Sequence, residues 1–354
     1  MAEGSPKVYN LGRFPTRSLV TFPIGHCKIR TPAYDARSRK ARKLLGNRIR
    51  VMQTKRLLFR SFLMLDRAGL HVIPKHYYTP VPDMKWLETN RPLWMGRSSL
   101  TGIAWDLDAQ LNWLKDACAP FYCEVAGLEA YKSFMRDGWG PGYGEIESQI
   151  LHCVVRRHAP PQIIEIGSGT STMCMLTAAR LNERDGKHAS RITCVEPFPS
   201  DKLRSLKHVE LIKKFCQEIA LPLFNGLEEG DLLFIDSSHA VKVGSDVQRI
   251  YLEIIPHLRP GVFVQIHDIY LPYAYPRDVF AMPFWWQETA LLTALLVNNA
   301  KISVLTCLSA LHYDRTDQLQ EILPDYWPAA NVEGLEASPT TSGHFPASIW
   351  LRTS

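Results

Sequence analysis

The sequence predicts an α/β fold: a seven-stranded, mostly parallel sheet flanked by helices, preceded by a helical and irregular N-terminal extension. Three observations predict it. From Gly140 onward, short apolar runs alternate with amphipathic stretches, the pattern of strands that cross over through helices to parallel neighbours. One apolar run, 163–166, opens directly onto Gly167-Ser168-Gly169 and a helix start. Ahead of Gly140 the alternation is missing, and proline-rich and basic stretches take its place.

Taken in order, residues 1–35 carry Pro, Gly and Ser punctuation with little periodicity and read as loose. Residues 37–68 read as a basic helix, with Leu44, Leu45, Ile49, Met52, Leu57, Leu58, Phe62 and Leu65 as apolar positions. The run His71-Val-Ile-Pro-Lys-His-Tyr-Tyr-Thr-Pro-Val-Pro-Asp83 holds three prolines, which argue against regular structure. Short helices are expected at 108–117 and 124–136. Ile146, Ile150, Leu151, Val154 and Val155 then mark one helix face, ended by Pro160-Pro161. Strands are expected at 163–166, 191–195, 210–215, 231–235, 262–266, 302–308 and 348–351, the third weaker than the others. A helix starts near Ser171. A helical stripe runs from Val243 to Leu258 and closes on Arg259-Pro260-Gly261, and another helix covers 284–298. The last strand is placed to pair antiparallel. The expected division is a loose N-terminus and basic segment (1–68), an acceptor-side cap (69–139) and the sheet domain (140–354).

Composition narrows the class. Hydrophobic residues make up 46% and charged residues 21%, as in globular domains. No run approaches the ~18 apolar residues of a membrane span, and the N-terminus lacks the apolar core of a secretory signal. The eight cysteines form no CxxC pair, which argues against a zinc site, and Cys153, Cys174 and Cys194 sit in apolar runs. A reducing cytoplasm is the expected setting. The net charge of +6 is concentrated between Lys28 and Arg67, where only Asp35 and Asp66 oppose the basic residues. Three readings compete for that segment: a solvated helix packed on protein, peripheral contact with anionic lipid, and phosphate binding. Aromatics for base stacking are sparse, so nucleic acid is not expected.

The glycine loop carries the chemistry. A P-loop is excluded because no Gly-Lys-Ser/Thr follows. A dinucleotide site wants GxGxxG, and Thr172 stands where the third glycine would be. Glu165, two residues before the first glycine, suits the positive amino-acid end of a sulfonium cofactor better than a pyrophosphate. Glu196 closes the second strand, where a carboxylate accepts ribose hydroxyls; it lies 31 residues beyond Glu165, more than the dinucleotide norm of ~20, and the polar insert 182–190 absorbs the excess.

Four pieces, Glu165-Ile-Gly-Ser-Gly-Thr-Ser-Thr172, Val195-Glu-Pro-Phe-Pro199, Phe234-Ile-Asp-Ser-Ser-His239 and His267-Asp-Ile-Tyr-Leu-Pro272, resemble the class I methyltransferase superfamily. They look most like bacterial stand-alone methyltransferases of glycan and natural-product pathways. The resemblance covers roughly residues 65 to 354 and implies a Rossmann-like sheet and S-adenosyl-L-methionine as cofactor. It implies that Glu165, Gly167, Ser168, Gly169, Thr170, Ser171 and Thr172 hold the methionine part and Glu196 the ribose. Asp236 and Ser237 complete the cofactor side, and Gln217 or Glu218 stands where the adenine contact belongs.

Asp236-Ser-Ser-His239 follows the fourth strand and His267-Asp268 ends the fifth, so the sheet brings both to one rim. Methyl transfer needs alignment and a proton acceptor. His239 is the first candidate base, since an unperturbed imidazole pKa of ~6.5 suits that role, and His267 the second. Asp268 would orient an imidazole. Alternatively Asp236 and Asp268 would hold a metal, as in catechol O-methyltransferase-like enzymes, with Mg2+ as Lewis acid. Tyr143 is either a lid or a packed hinge. His76, Tyr77 and Tyr78, with Tyr270, Tyr273, Tyr275, Arg277, Trp285 and Trp286, suit a sugar or aryl acceptor, or else a lid or the interface of a homo-oligomer. The expected activity is O-methylation of a saccharide or secondary metabolite. A nicotinamide oxidoreductase and a non-catalytic assembly protein of the same fold are the alternatives.

Overall fold

The computed structural model describes residues 57–354 apart from 77, 141, 278, 282 and 331–341. The chain divides into two compact units, Met1–Thr79 and Pro80–Ser354. In the first, a helix over 57–66 (α1) exposes Leu57, Leu58, Phe59 and Met64, and Gly69 turns the chain after it with φ 79°. Most of the expected basic helix, and Tyr77, lie outside the described residues. None of the described helices is long and apolar enough to cross a membrane.

The second unit opens with α2 (Met84–Thr89), α3 (Arg91–Trp94), α4 (Leu107–Cys118), α5 (Glu129–Arg136) and α6 (Glu145–His158). Strands and helices then alternate: β1 (Gln162–Ile166), α7 (Thr170–Arg184), β2 (Arg191–Val195), α8 (Asp201–Ser205), β3 (Val209–Ile212), α9 (Leu221–Asn225), β4 (Leu232–Ile235) and α10 (Asp246–Arg249). After α10 the helix continues with π and 3-10 character to His257. β5 (Phe263–His267), α11 (Glu288–Leu296), β6 (Ile302–Cys307), α12 (Leu308–Asp314), α13 (Thr316–Ile322) and β7 (Ser348–Thr353) complete the unit.

The sheet order is β3-β2-β1-β4-β5-β7-β6. All neighbours are parallel except β7, which inserts antiparallel between β5 and β6 with Leu351 opposite both Val264 and Val304. The seven expected strands are therefore all present. β4, Leu-Leu-Phe-Ile, is buried at every position because helices cover both faces of a central parallel strand. One core packs α4, α6 and α7 on one face; the other packs the 246–257 helix and α11 on the opposite face. Strand order reverses between β1 and β4, and in open α/β sheets ligands bind in the crevice beyond that point.

The segment between Pro80 and α6 is built into this unit. Glu124 accepts hydrogen bonds from Arg156 of α6 at 2.8 Å through both carboxylate oxygens and faces His152 at 2.8 Å, and Arg156 also donates to Asn182 of α7. Three expectations shift. Glu129, not 124, opens α5, because Gly127 and Leu128 both take positive φ. Val243 is fully exposed and precedes its helix, which Ser245 caps. Residues 284–287 are not helical; α11 begins at Glu288, after the Gln287 N–H donates to the His239 carbonyl at 3.2 Å.

Candidate active site

The glycine loop is shaped by contacts between strand ends. Gly167 has φ 98°, and a Cβ there would stand 2.4 Å from the Asp236 carbonyl oxygen, so only glycine lets β1 and β4 approach. Gly167 N–H donates to Val195 and Asp236 N–H to Ile166, locking the ends of β1, β2 and β4 together. Gly169, φ 149°, precedes α7, whose N-terminus faces this rim and favours an anionic group such as an amino-acid carboxylate.

Glu165 lies beneath the loop. Its carboxylate is fully buried and accepts hydrogen bonds from Ser171 (2.6 Å), Thr172 (2.6 Å) and the Cys194 thiol (2.9 Å). Burial pushes its pKa up to about 7 against those donors. Thr172 Oγ1 also accepts from Gly169 N–H at 3.0 Å. Glu165, Ser171 and Thr172 thus brace the loop from inside. Thr170 is buried at the helix start, and its hydroxyl has no hydrogen-bond partner among the described residues.

Glu196 stands at the rim as expected. Ser168 Oγ donates to it at 3.1 Å and Phe198 N–H at 2.8 Å. Gln217 donates to the Gly244 carbonyl at 2.9 Å, joining the loops that follow β3 and β4. Phe198 and Phe215, which the sequence reading passed over, meet edge to face at 5.5 Å beside Glu196 and remain exposed.

The polar residues beyond β4 and β5 form one cluster. His239 Nε2 lies 3.3 Å from Asp236 and 3.4 Å from Asp268. His239 Nδ1 lies 2.7 Å from Glu288. His267 Nδ1 lies 3.6 Å from Asp236 and 3.5 Å from Asp268, and its Nε2 faces Glu147 at 3.7 Å. His239 and Asp268 both have φ 55°, a left-handed conformation that costs a non-glycine residue roughly 1–2 kcal/mol and gathers at functional sites. Ser237, expected on the cofactor side, donates to Glu288 at 3.5 Å. Trp286 packs on the His239 ring at 4.6 Å. Tyr143 is buried against His267 and Phe234, which makes it a packed residue and not a lid. Tyr270 donates to Asp268 at 2.9 Å. Arg277 lies over the Phe345 ring and donates to the Ala330 carbonyl, away from the cluster. His76 and Tyr78 belong to the first unit, their rings 5.1 Å apart.

Charge dominates the cluster. Burial alone would lower the His239 pKa, but its hydrogen bonds to Asp236 and Glu288 and the charges of Glu288 and Asp268 outweigh it and hold the imidazole at about 10. His267 is likewise raised by Asp268, Asp236 and Glu147 in spite of its burial. Burial raises Asp236, but the two histidines overcome this and carry it well below the usual carboxylate range. His239 is therefore not the unperturbed imidazole expected from the sequence: its carboxylate neighbours favour the charged form. Sequence reasoning missed Glu288 and Glu147. The signal was available: Glu288 opens an otherwise apolar helix, Glu-Thr-Ala-Leu-Leu-Thr-Ala-Leu-Leu, and is almost fully buried in it.

One donor atom of each of Asp236, His267 and Asp268 lies within 4.8 Å of the others, the spacing of a divalent-ion site. His267 Nδ1 is buried and has no hydrogen-bond partner among the described residues. Glu147, facing His267 Nε2 at 3.7 Å, is placed as a carboxylate that orients a metal-binding imidazole, and Glu288 holds the neighbouring His239. The residues present thus fit a divalent cation.

Residues 164–269 match a methyltransferase domain family. An uncharacterised protein of Archaeoglobus fulgidus is 26% identical over 184 residues, which cover 49% of this chain and 81% of that protein. Among solved structures, the chain is similar to an O-methyltransferase from Bacillus cereus in complex with SAH (14% identity, TM-score 0.38, 68% of this chain and 100% of that one). It is also similar to the O-methyltransferase TomG of tomaymycin synthesis from Streptomyces achromogenes in complex with SAM (14% identity, TM-score 0.36, 71% and 92%). The family match begins inside β1, takes in the glycine loop and Glu196, and ends just past His267-Asp268: this part of the chain is similar to a methyltransferase domain.

Proposed function

We propose that the protein transfers the methyl group of S-adenosylmethionine to a hydroxyl of a small-molecule acceptor. The observation that carries this reading is that the sheet places the glycine loop with Glu196 and the His239 cluster at one rim, on either side of the β1–β4 switch point. The hydroxyl oxygen attacks the methyl carbon in line. The carbon–sulfur bond breaks, its electron pair stays on sulfur as S-adenosylhomocysteine, and the hydroxyl proton passes to His239. In-line positioning supplies up to ~7–11 kcal/mol of the barrier, and a base a further ~10²–10⁴-fold.

His239 accepts a proton only as neutral imidazole, and Asp236, Asp268 and Glu288 oppose that form. Added positive charge beside Asp236 and Asp268 removes the opposition. Asp236, His267 and Asp268 would hold a divalent cation, which when bound would supply that charge and Lewis-acid activation of the acceptor hydroxyl. Imidazole donors suit manganese, iron, cobalt or zinc better than the magnesium suggested by sequence, which favours an all-oxygen shell.

Calorimetry with S-adenosylmethionine, S-adenosylhomocysteine and NAD tests the cofactor. Binding of both adenosyl compounds without NAD is expected, and preferential NAD binding overturns the reading. Methyl transfer to hydroxyl acceptors, followed by S-adenosylhomocysteine release, tests the reaction.

A further inference from the structure

We infer that the acceptor seats an uncharged, apolar ring in an aromatic box beside His239, so that the site selects an aryl-like acceptor over a free saccharide. This rests on the methyl-transfer reading and names its substrate class. A cavity of about 250 Å³ is lined by Pro82, Trp86, Trp94, Tyr275, Trp285 and Gln287, with Pro80, Leu87 and Val279 around them. Its size falls just below the range of ~300–1,000 Å³ typical of small-molecule sites. None of the nine lining residues carries a charge.

The box is built and adjoins the reacting cluster. Trp94 is fixed by its indole N–H, which donates to the Leu87 carbonyl at 2.9 Å, and by an edge contact with Tyr275 at 6.0 Å. Ser98 N–H donates to the Pro272 carbonyl at 2.8 Å, holding the 80–98 segment against the loop beyond β5. Gln287 lines the box and donates through its backbone to the His239 carbonyl, and Trp286, between Gln287 and the lining Trp285, packs on the His239 ring. The Trp285 Nε1–H is buried with no hydrogen-bond partner among the described residues, an unsatisfied donor that a single acceptor oxygen would complete.

Chemistry decides between ring types. A pyranose carries several hydroxyls, each of which loses water on entry and needs a partner. The lining offers few polar groups, so those hydroxyls would go unpaired. A flat apolar ring with one hydroxyl stacks on Trp86, Trp94 or Tyr275 and leaves only that hydroxyl to be paired.

The test is calorimetry on the full chain, with and without S-adenosylhomocysteine, using 2-naphthol, naphthalene-2-sulfonate and methyl α-D-glucopyranoside as probes. 2-Naphthol is expected to bind at least tenfold tighter than the sulfonate and the glucoside. Trp86→Ala, at a half-exposed position that folding tolerates, is expected to weaken 2-naphthol at least tenfold. Trp285→Phe keeps the ring, removes the donor and is expected to weaken it about fivefold. Glucoside binding as tight as 2-naphthol, or 2-naphthol affinity unchanged by Trp86→Ala, overturns the inference. S-adenosylhomocysteine binding without 2-naphthol binding overturns it alone, whereas failure of S-adenosylhomocysteine to bind counts against the methyl-transfer reading.

Discussion

Glu288 holds His239 from behind: its Oε2 lies 2.7 Å from His239 Nδ1, and both side chains are buried. The contact crosses 49 residues of sequence and ties the rim of β4 to the first turn of α11. It fixes which imidazole nitrogen faces Asp236 and Asp268.

Glu288→Gln retains the shape and a hydrogen bond but removes the charge. It is expected to lower methyl-transfer turnover roughly 10–100-fold, the range for groups that orient a reacting histidine. S-adenosylhomocysteine affinity should stay within twofold, because Glu288 does not touch the glycine loop. Turnover within twofold of the unmodified protein would show that the contact only fills space.

Gly167 and Gly186 separate two costs of a side chain at positive φ. Gly186→Ala, with φ 83° and open space around it, should destabilise by about 1 kcal/mol. Gly167→Ala adds overlap with the Asp236 carbonyl, so the ends of β1 and β4 must part. It is expected to cost more than about 3 kcal/mol in urea unfolding and to abolish measurable S-adenosylhomocysteine binding. Equal stabilities of the two variants would contradict the close approach.

His312 should make stability depend on pH. Its ring is fully buried and hydrogen-bonded to the Tyr326 hydroxyl, and burial, with the charge of Arg277, lowers its pKa to about 4. Above the unfolded value of ~6.5 the ring is neutral in both states and contributes no slope. Between 6.5 and 4 the unfolded chain takes up a proton that the native protein refuses, so stability falls with pH, by about 3 kcal/mol in all. Unfolding measured at steps from pH 7.5 to 4.5 should show His312→Gln losing one proton's worth of that slope. Parallel profiles for the variant and the unmodified protein would mean that His312 titrates alike in both states.

Much of this was legible before the fold was known, for a physical reason. Strands such as Leu232–Ile235 are buried on both faces and so read as continuous apolar runs, and the glycines between β1 and α7 announce their turn. His239, Asp236, His267 and Asp268 were legible because polar residues directly after such strands must lie at the rim. Glu288 and Glu147 were not, since each sits within a helix and its partner is set by how that helix packs, which periodicity does not encode. Glu165 was found but its direction was not: alternation along β1 says that it faces one side of the sheet, not that Ser171, Thr172 and Cys194 surround it there. The tuning of His239 was hidden for the same reason, being the sum of three carboxylates from three segments.

The donor set makes a last prediction about cations. His267 Nδ1 is a buried nitrogen without a hydrogen-bond partner among the described residues, and it faces the same space as the Asp236 and Asp268 carboxylates. A cation that accepts both nitrogen and oxygen satisfies all three, whereas magnesium leaves the nitrogen poorly used. Titration of metal-stripped protein with Co2+ should therefore show one site with visible d–d bands shifted by nitrogen ligation, and Mn2+ or Zn2+ should compete for it more tightly than Mg2+. Asp268→Ala should abolish the bands while leaving S-adenosylhomocysteine binding in place, because Asp268 lies outside the glycine loop. His267→Ala should leave weaker binding with the spectrum of an oxygen-rich shell. A single site that prefers Mg2+ and whose spectrum is unaffected by His267→Ala would assign the cation to carboxylates alone, and leave His267 as an ion-pair partner of Asp236 and Asp268.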